Sequence, residues 1–153
     1  MLAVAILAGC GGSSGGKGQL VQGDGFRFTA PSGWSVQHTH TTWVARSGQA
    51  GLVQASSFRT VKPYRSALFE KLPKELGRVA GSLASDLGGK VAGHRRVVVD
   101  GRQSWSYRLA SAGSVTDVTF VFVGRQEFQL LCRRPQNGDT APCQQLLSSF
   151  AIG

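Results

Sequence analysis

Acidic residues are scarce in this 153-residue chain: eight Asp and Glu stand against seventeen Lys and Arg, a formal net charge of +9. They are scattered, so no close pair suggests the two carboxylates of a glycoside hydrolase. No apolar run approaches the roughly 18 residues that a spanning helix needs, which excludes a multi-pass membrane protein. The three cysteines, Cys10, Cys132 and Cys143, include no Cys-x-x-Cys pair and have no nearby histidine, which argues against a zinc or redox motif. The folded part holds no strained nucleophile turn of the strand, Gly-x-Ser-x-Gly, helix kind, although a triad is defined by geometry and not by sequence. What is present is enough to fold: 41% hydrophobic residues, three Trp and eight Phe supply the apolar surface to offset the chain entropy of one ordinary domain.

The first nine residues are all apolar or small and run into Leu7-Ala8-Gly9-Cys10, followed by six Gly or Ser. Small residues before a cut let the chain lie extended in a peptidase groove, and a Cys just after it offers a thiol for diacylglyceryl attachment. This resembles a bacterial lipobox. Its n-region carries no positive charge and its apolar stretch is short, so the translation start is expected upstream of Met1. The expected organisation is a signal segment over 1–9, a lipidated Cys10 with a Gly/Ser-rich tether over 10–24, and one folded domain over 25–153. Within the tether, Gly11-x-x-x-x-Gly16-Lys17 and Ser14-x-x-Lys17 imitate a phosphate loop and a penicillin-binding motif. Neither has the strand or helix its chemistry needs, and Gly18 stands where the phosphate loop has Ser or Thr.

Export closes the cysteine arithmetic. With Cys10 lipidated, Cys132 and Cys143 form an even pair in an oxidising compartment, and a disulfide is expected.

Within the domain, Phe26 to Ala30 alternates apolar and polar residues, and Pro31-Ser32-Gly33 turns the chain into a strand from Trp34 to His38. Two more strands follow, Thr41 to Arg46 and Gly51 to Phe58, and Trp34 is expected to anchor the core. The period then changes. Leu72, Leu76, Val79, Leu83 and Leu87 share one helical face, Pro73 suits the first turn, and Gly88-Gly89 the end. Arg95 to Val99, the Asp100-Gly101 turn and Gln103 to Leu109 predict a hairpin. Ser114 to Val123 and Gln126 to Cys132 extend it into a four-stranded antiparallel meander. A loop over Pro135 to Asp139 and a helix from Ala141 to Ser149 end the chain, with Cys143 tying that helix to the last strand. The pattern is α+β: a twisted antiparallel sheet with one face packed by helices.

The opening Phe26-x-Phe-x-Ala-Pro31-x-Gly33-Trp34 resembles that of the PsbP-like α/β/α sandwich, a family that includes uncharacterised bacterial lipoproteins. The closing strand into Cys132, loop, Cys143 and helix ending at Ser149-Phe150 is similar too. The resemblance spans about residues 20 to 153. It implies a protein that binds other proteins and does not catalyse, as in a lumenal photosystem subunit and a Ran-binding protein. It brings no active site to carry over, since fold does not supply function.

Candidate chemistry is thin. His38 and His40, at i and i+2 on an extended chain, project to one face, a spacing that suits a divalent ion. No third ligand is near in sequence, so they are read as solvated imidazoles and no metal or other cofactor is expected. Among the basic residues, Arg95-Arg96 and Arg133-Arg134 are the doublets, and they are the expected contacts for an anionic partner. A tethered basic domain is drawn to anionic head groups or cell-wall polymers at about 1 kcal/mol per well-placed charge. Nucleic acid is not expected, because export separates the two and no aromatic-basic strand motif is present.

The sequence therefore predicts a lipoprotein of the cell envelope, held on the extracytoplasmic face of a bacterial membrane through acylated Cys10. It would act as a non-catalytic binding or assembly module for an envelope protein or anionic polymer. The alternatives are a small-ligand or metal-binding lipoprotein with a pocket between sheet and helix, using His38 and His40, and an envelope hydrolase. A deep cavity with convergent polar groups favours the ligand reading, whereas a pocket-poor sandwich with one basic or apolar patch favours the module.

Overall fold

Two antiparallel sheets and two helices make up residues 17–153, the part of the chain that the computed structural model describes. The expected lipidation site at Cys10 and the signal segment lie outside the described residues. Strands β1 (Gln19–Gly23), β2 (Phe26–Ala30) and β10 (Ala151–Ile152) form a small sheet ordered β1-β2-β10. Seven strands form the large one: β3 (Ser35–Thr39), β4 (Thr42–Ser47), β5 (Gly51–Arg59), β6 (Lys90–Val99), β7 (Arg102–Ser111), β8 (Ser114–Val123) and β9 (Gln126–Pro135). Their order is β3-β4-β5-β9-β8-β7-β6. After β5 the chain crosses the sheet through a 3-10 turn (Ser66–Lys71) and helix α1 (Leu72–Asp86) to the far edge, then returns hairpin by hairpin until β9 lies beside β5. Helix α2 (Ala141–Ser149) follows.

The period-two alternation of the meander gives the large sheet two different faces. Trp105, Tyr107 and Leu109 of β7 and Val118 and Phe120 of β8 point one way and are buried under Leu76, Ala80 and Ala84 of α1. The Trp105 indole N–H donates to the Phe69 carbonyl at 3.0 Å and the Tyr107 hydroxyl to that of Pro73 at 2.9 Å, so both polar tips are satisfied. On the other face Val53 and Ala55 of β5, Phe128 and Leu130 of β9, and Phe26 and Phe28 of the small sheet enclose Leu146 and Phe150. The expectation that helices cover one face is thus corrected: α1 and α2 pack on opposite faces, as an α/β/α sandwich requires.

Most expected elements form. Asp100 and Gly101 both adopt positive φ, 49° and 70°, the left-handed pair that a two-residue hairpin demands. Gly89 sits so close to Ala110 that a Cβ there would collide with its carbonyl oxygen, and the chain can pass from α1 into β6 only without one. Two boundaries move. The tether expected to reach residue 24 is shorter, because Gln19–Gly23 pair in register with Phe26–Ala30 and bury Val21. The strand expected from Arg95 starts at Lys90, paired with Ala110. Trp34 is half-buried at the edge of the core, whose centre is held by Phe28 and Phe128.

Candidate anion-binding groove

The small sheet and α2 cover β3, β4, β5 and β9 on their face and reach Val97 and Val99 of β6 and Val121 of β8 at one end. Beyond them β6, β7 and β8 present polar residues, and there the face opens into two joined depressions of about 270 and 220 Å³, the second walled by α2. Register places the charges. Arg95 of β6 lies opposite Ser106 of β7, Arg108 opposite Asp117 of β8, and Asp117 opposite Cys132 of β9, two residues before Arg134. Four side chains therefore form a diagonal stripe, Arg95, Arg108, Asp117, Arg134, one from each strand. Its ends lie three strand steps apart and four residues along, a length of about 19 Å between Cα atoms.

Arg108 and Asp117 form a two-pronged pair, Nε to Oδ1 at 2.9 Å and Nη2 to Oδ2 at 3.1 Å. The hydrogen bonds and charge of Asp117 hold the guanidinium above its ordinary value, so it stays cationic throughout. Arg95 and Arg134 have no carboxylate partner among the described residues. Arg134 donates to the Gln136 carbonyl at 3.1 Å, which steadies its head at the α2 end. Under the stripe lie two buried hydroxyls: Thr119 Oγ1 donates to Ser106 Oγ at 3.0 Å, which leaves the Ser106 proton able to donate outward. Leu130, Leu146, Leu147 and the Cys132–Cys143 disulfide form the apolar wall. That disulfide is present as expected, its Cα atoms 5.4 Å apart, and it ties α2 to β9.

The expected arginines separate into two pairs. Adjacent residues of a strand face opposite sides, so each doublet gives one member to the groove, Arg95 or Arg134, and one to the other face. Arg96 lies over the rings of Phe69 and Trp105, 5.7 and 5.3 Å from their centroids, and pairs with Glu70 at 2.8 Å. Arg133 lies near Arg46 and Leu52. Sequence reading missed Arg108 and Asp117; their signal was one basic and one acidic residue near the facing ends of a predicted hairpin.

The histidine pair is corrected. The β3 strand stops at Thr39, and His40 enters the turn to β4 with φ of 51°, so the extended geometry that would project both rings to one face is lost. His38 stacks on Trp43, centroids 4.3 Å apart, and its Nε2 meets the His40 carbonyl at 2.6 Å. One ring face and one nitrogen of His38 are thereby engaged in the hairpin, and no cluster of three His, Cys, Asp or Glu gathers among the described residues.

Comparison with solved structures identifies the architecture. The solution structure of the cyanobacterial PsbP (CyanoP) of Synechocystis sp. PCC 6803 superimposes with a TM-score of 0.62, at 14% identity, over 96% of this chain and 99% of that one. The fold is PsbP-like. A Bacteroides thetaiotaomicron VPI-5482 protein solved at 1.50 Å matches with a TM-score of 0.52 and 13% identity over 90% of this chain, which spans about half of its length, 48%. No family model and no curated protein matches the sequence. At such identities the likeness carries fold alone, and the arginine stripe of this PsbP-like domain is argued from its own residues.

Proposed function

We propose that this chain is an extracytoplasmic, non-catalytic binding module, anchored to a bacterial membrane through acylated Cys10, that holds an anionic envelope partner, protein or polymer, on its groove. The observation that carries the reading is the stripe itself: three guanidiniums and one carboxylate line a concave strip floored by hydroxyls. A second and weaker support is the disulfide, which belongs to an oxidising compartment. None of the described helices is long and apolar enough to cross a membrane, so on this reading the bilayer contact is the lipid. A small-ligand reading is favoured by the depression between sheet and α2, the place where such a pocket was expected.

A charge-matched comparison tests the module. Arg95→Ala with Arg134→Ala, and Arg96→Ala with Arg133→Ala, each remove two positive charges, from different faces. Sedimentation with isolated envelopes at low salt is expected to lose about tenfold or more in affinity for the first pair and little for the second. Equal losses would reduce the groove to part of a generally basic surface. Intact mass of the protein from its own membrane fraction is expected to begin at diacylated Cys10; an unprocessed cytosolic chain would overturn the anchor.

A further inference from the structure

The groove has a length and a charge order as well as a sign. Its cations occur at Arg95, Arg108 and Arg134, and the middle one is already neutralised by Asp117. Two unneutralised guanidiniums therefore sit at the ends, about 19 Å apart at their Cα atoms by strand spacing and rise. A single phosphate or carboxylate satisfies one end and leaves the other empty. Between the ends the floor is neutral and hydroxylic, Ser106 and Thr119, with Thr140 and Gln144 along the α2 side and the apolar wall of Leu130, Leu147 and the disulfide opposite solvent. That sequence of surfaces, cation, hydroxyl and amide, apolar ledge, cation, matches a chain whose acidic groups alternate with hydroxyl-rich, partly apolar units. Arg95 and Arg134 line the same depression, and Arg95, Ser106, Arg108 and Asp117 also line the one beside it.

Resting on the anion-binding reading above, we infer that the groove takes a linear anionic glycopolymer, lying across β6 to β9 with two of its acidic groups, separated by several repeat units, on Arg95 and Arg134. The acidic group is a phosphodiester or a carboxylate, two sources of one chemistry that a guanidinium fork recognises alike. Both ends engage one chain, so the second contact is intramolecular and the gain comes from effective concentration. Asp117 has a distinct part. Its carboxylate orients Arg108 but repels a polyanion above it, so it tunes the affinity downward and keeps binding reversible.

Isothermal titration of the soluble domain, residues 17–153, uses four probes: inorganic phosphate, glycerol phosphate, an oligomeric polyglycerol phosphate and oligogalacturonate of similar length. The expected result is affinity for at least one oligomer about a hundredfold above that for its monomeric group. Arg95→Ala and Arg134→Ala each bring the oligomer down to near-monomer affinity, while Asp117→Asn raises it severalfold. The two oligomers decide between phosphodiester and carboxylate. Phosphate binding as tightly as the oligomers, and weakening in Arg95→Ala and Arg134→Ala, would overturn the polymer and leave anion recognition standing; an oligomer advantage that survives in both variants would overturn the seat on Arg95 and Arg134. No binding of any probe, with melting unchanged in all variants, would overturn both; Asp117→Asn lowering affinity in a variant of unchanged melting would sink the role given to that carboxylate.

Discussion

At the residue scale, direction along a strand matters more than sequence proximity. Arg95 and Arg96 are neighbours in the chain, yet one lines the groove while the other stacks over Phe69 and Trp105 on the far side. The doublets were legible as the basic feature of the sequence, and alternation would have split them had their strands been assigned to faces. His38 and His40 misled for the opposite reason: the periodicity argument holds only inside the strand, and His40 is in the turn. Tyr107 makes a pH prediction. Burial raises its phenol above the ordinary 10.0, so the folded state holds that proton more tightly than the unfolded chain does. The stabilisation is complete below about pH 10 and is lost as pH rises through the folded value. Urea unfolding from pH 8 to 11 is expected to show a steeper alkaline loss for the wild type than for Tyr107→Phe; identical slopes would remove Tyr107 from the cause.

At the element scale the hydrophobic rhythm was readable wherever it was long. Helix α1 carries its apolar face at the expected steps, and the meander β6 to β9 shows alternating apolar residues bounded by Asp100-Gly101 and Gly124-Arg125. Short or edge elements were not readable. Strand β1 has only Val21 buried, follows the Gly-rich run and itself ends in Gly23; β10 is two residues long and exists because β2 lies beside it. The first half of β6, through Ala92-Gly93-His94, is an exposed edge whose partner supplies the order. The Cys132–Cys143 bond joins residues 11 apart in sequence, and the chain-entropy model gives it roughly 3 kcal/mol. Replacing both cysteines by Ser is expected to lower unfolding free energy by about 2–4 kcal/mol and to loosen α2, the wall of the groove. Denaturant melts together with hydrogen exchange in α2 test this, and unchanged exchange there would deny the disulfide its role in holding the wall.

At the scale of the whole molecule, α1 and its aromatic layer cover the β6 and β7 end of one side of the sheet, while the other side is partly roofed by the small sheet and α2. The opening is where the groove lies. Its existence was not legible in the sequence, because it depends on how far α2 and β2 reach across a seven-stranded sheet, which no local pattern encodes. The charge of +9 supplies long-range attraction to anionic surroundings, screened within about 8 Å at physiological salt, and the stripe supplies the local geometry. The most direct measurement of the central account is amide chemical-shift mapping of the domain titrated with an anionic oligomer at low salt. The account predicts that shifts concentrate on β6 to β9 around Arg95, Ser106, Arg108, Asp117 and Arg134 and on the first turns of α2, and that they vanish in Arg95→Ala/Arg134→Ala. Shifts spread evenly over the basic surface, or centred on Arg46 and Arg133 of the opposite face, would contradict it.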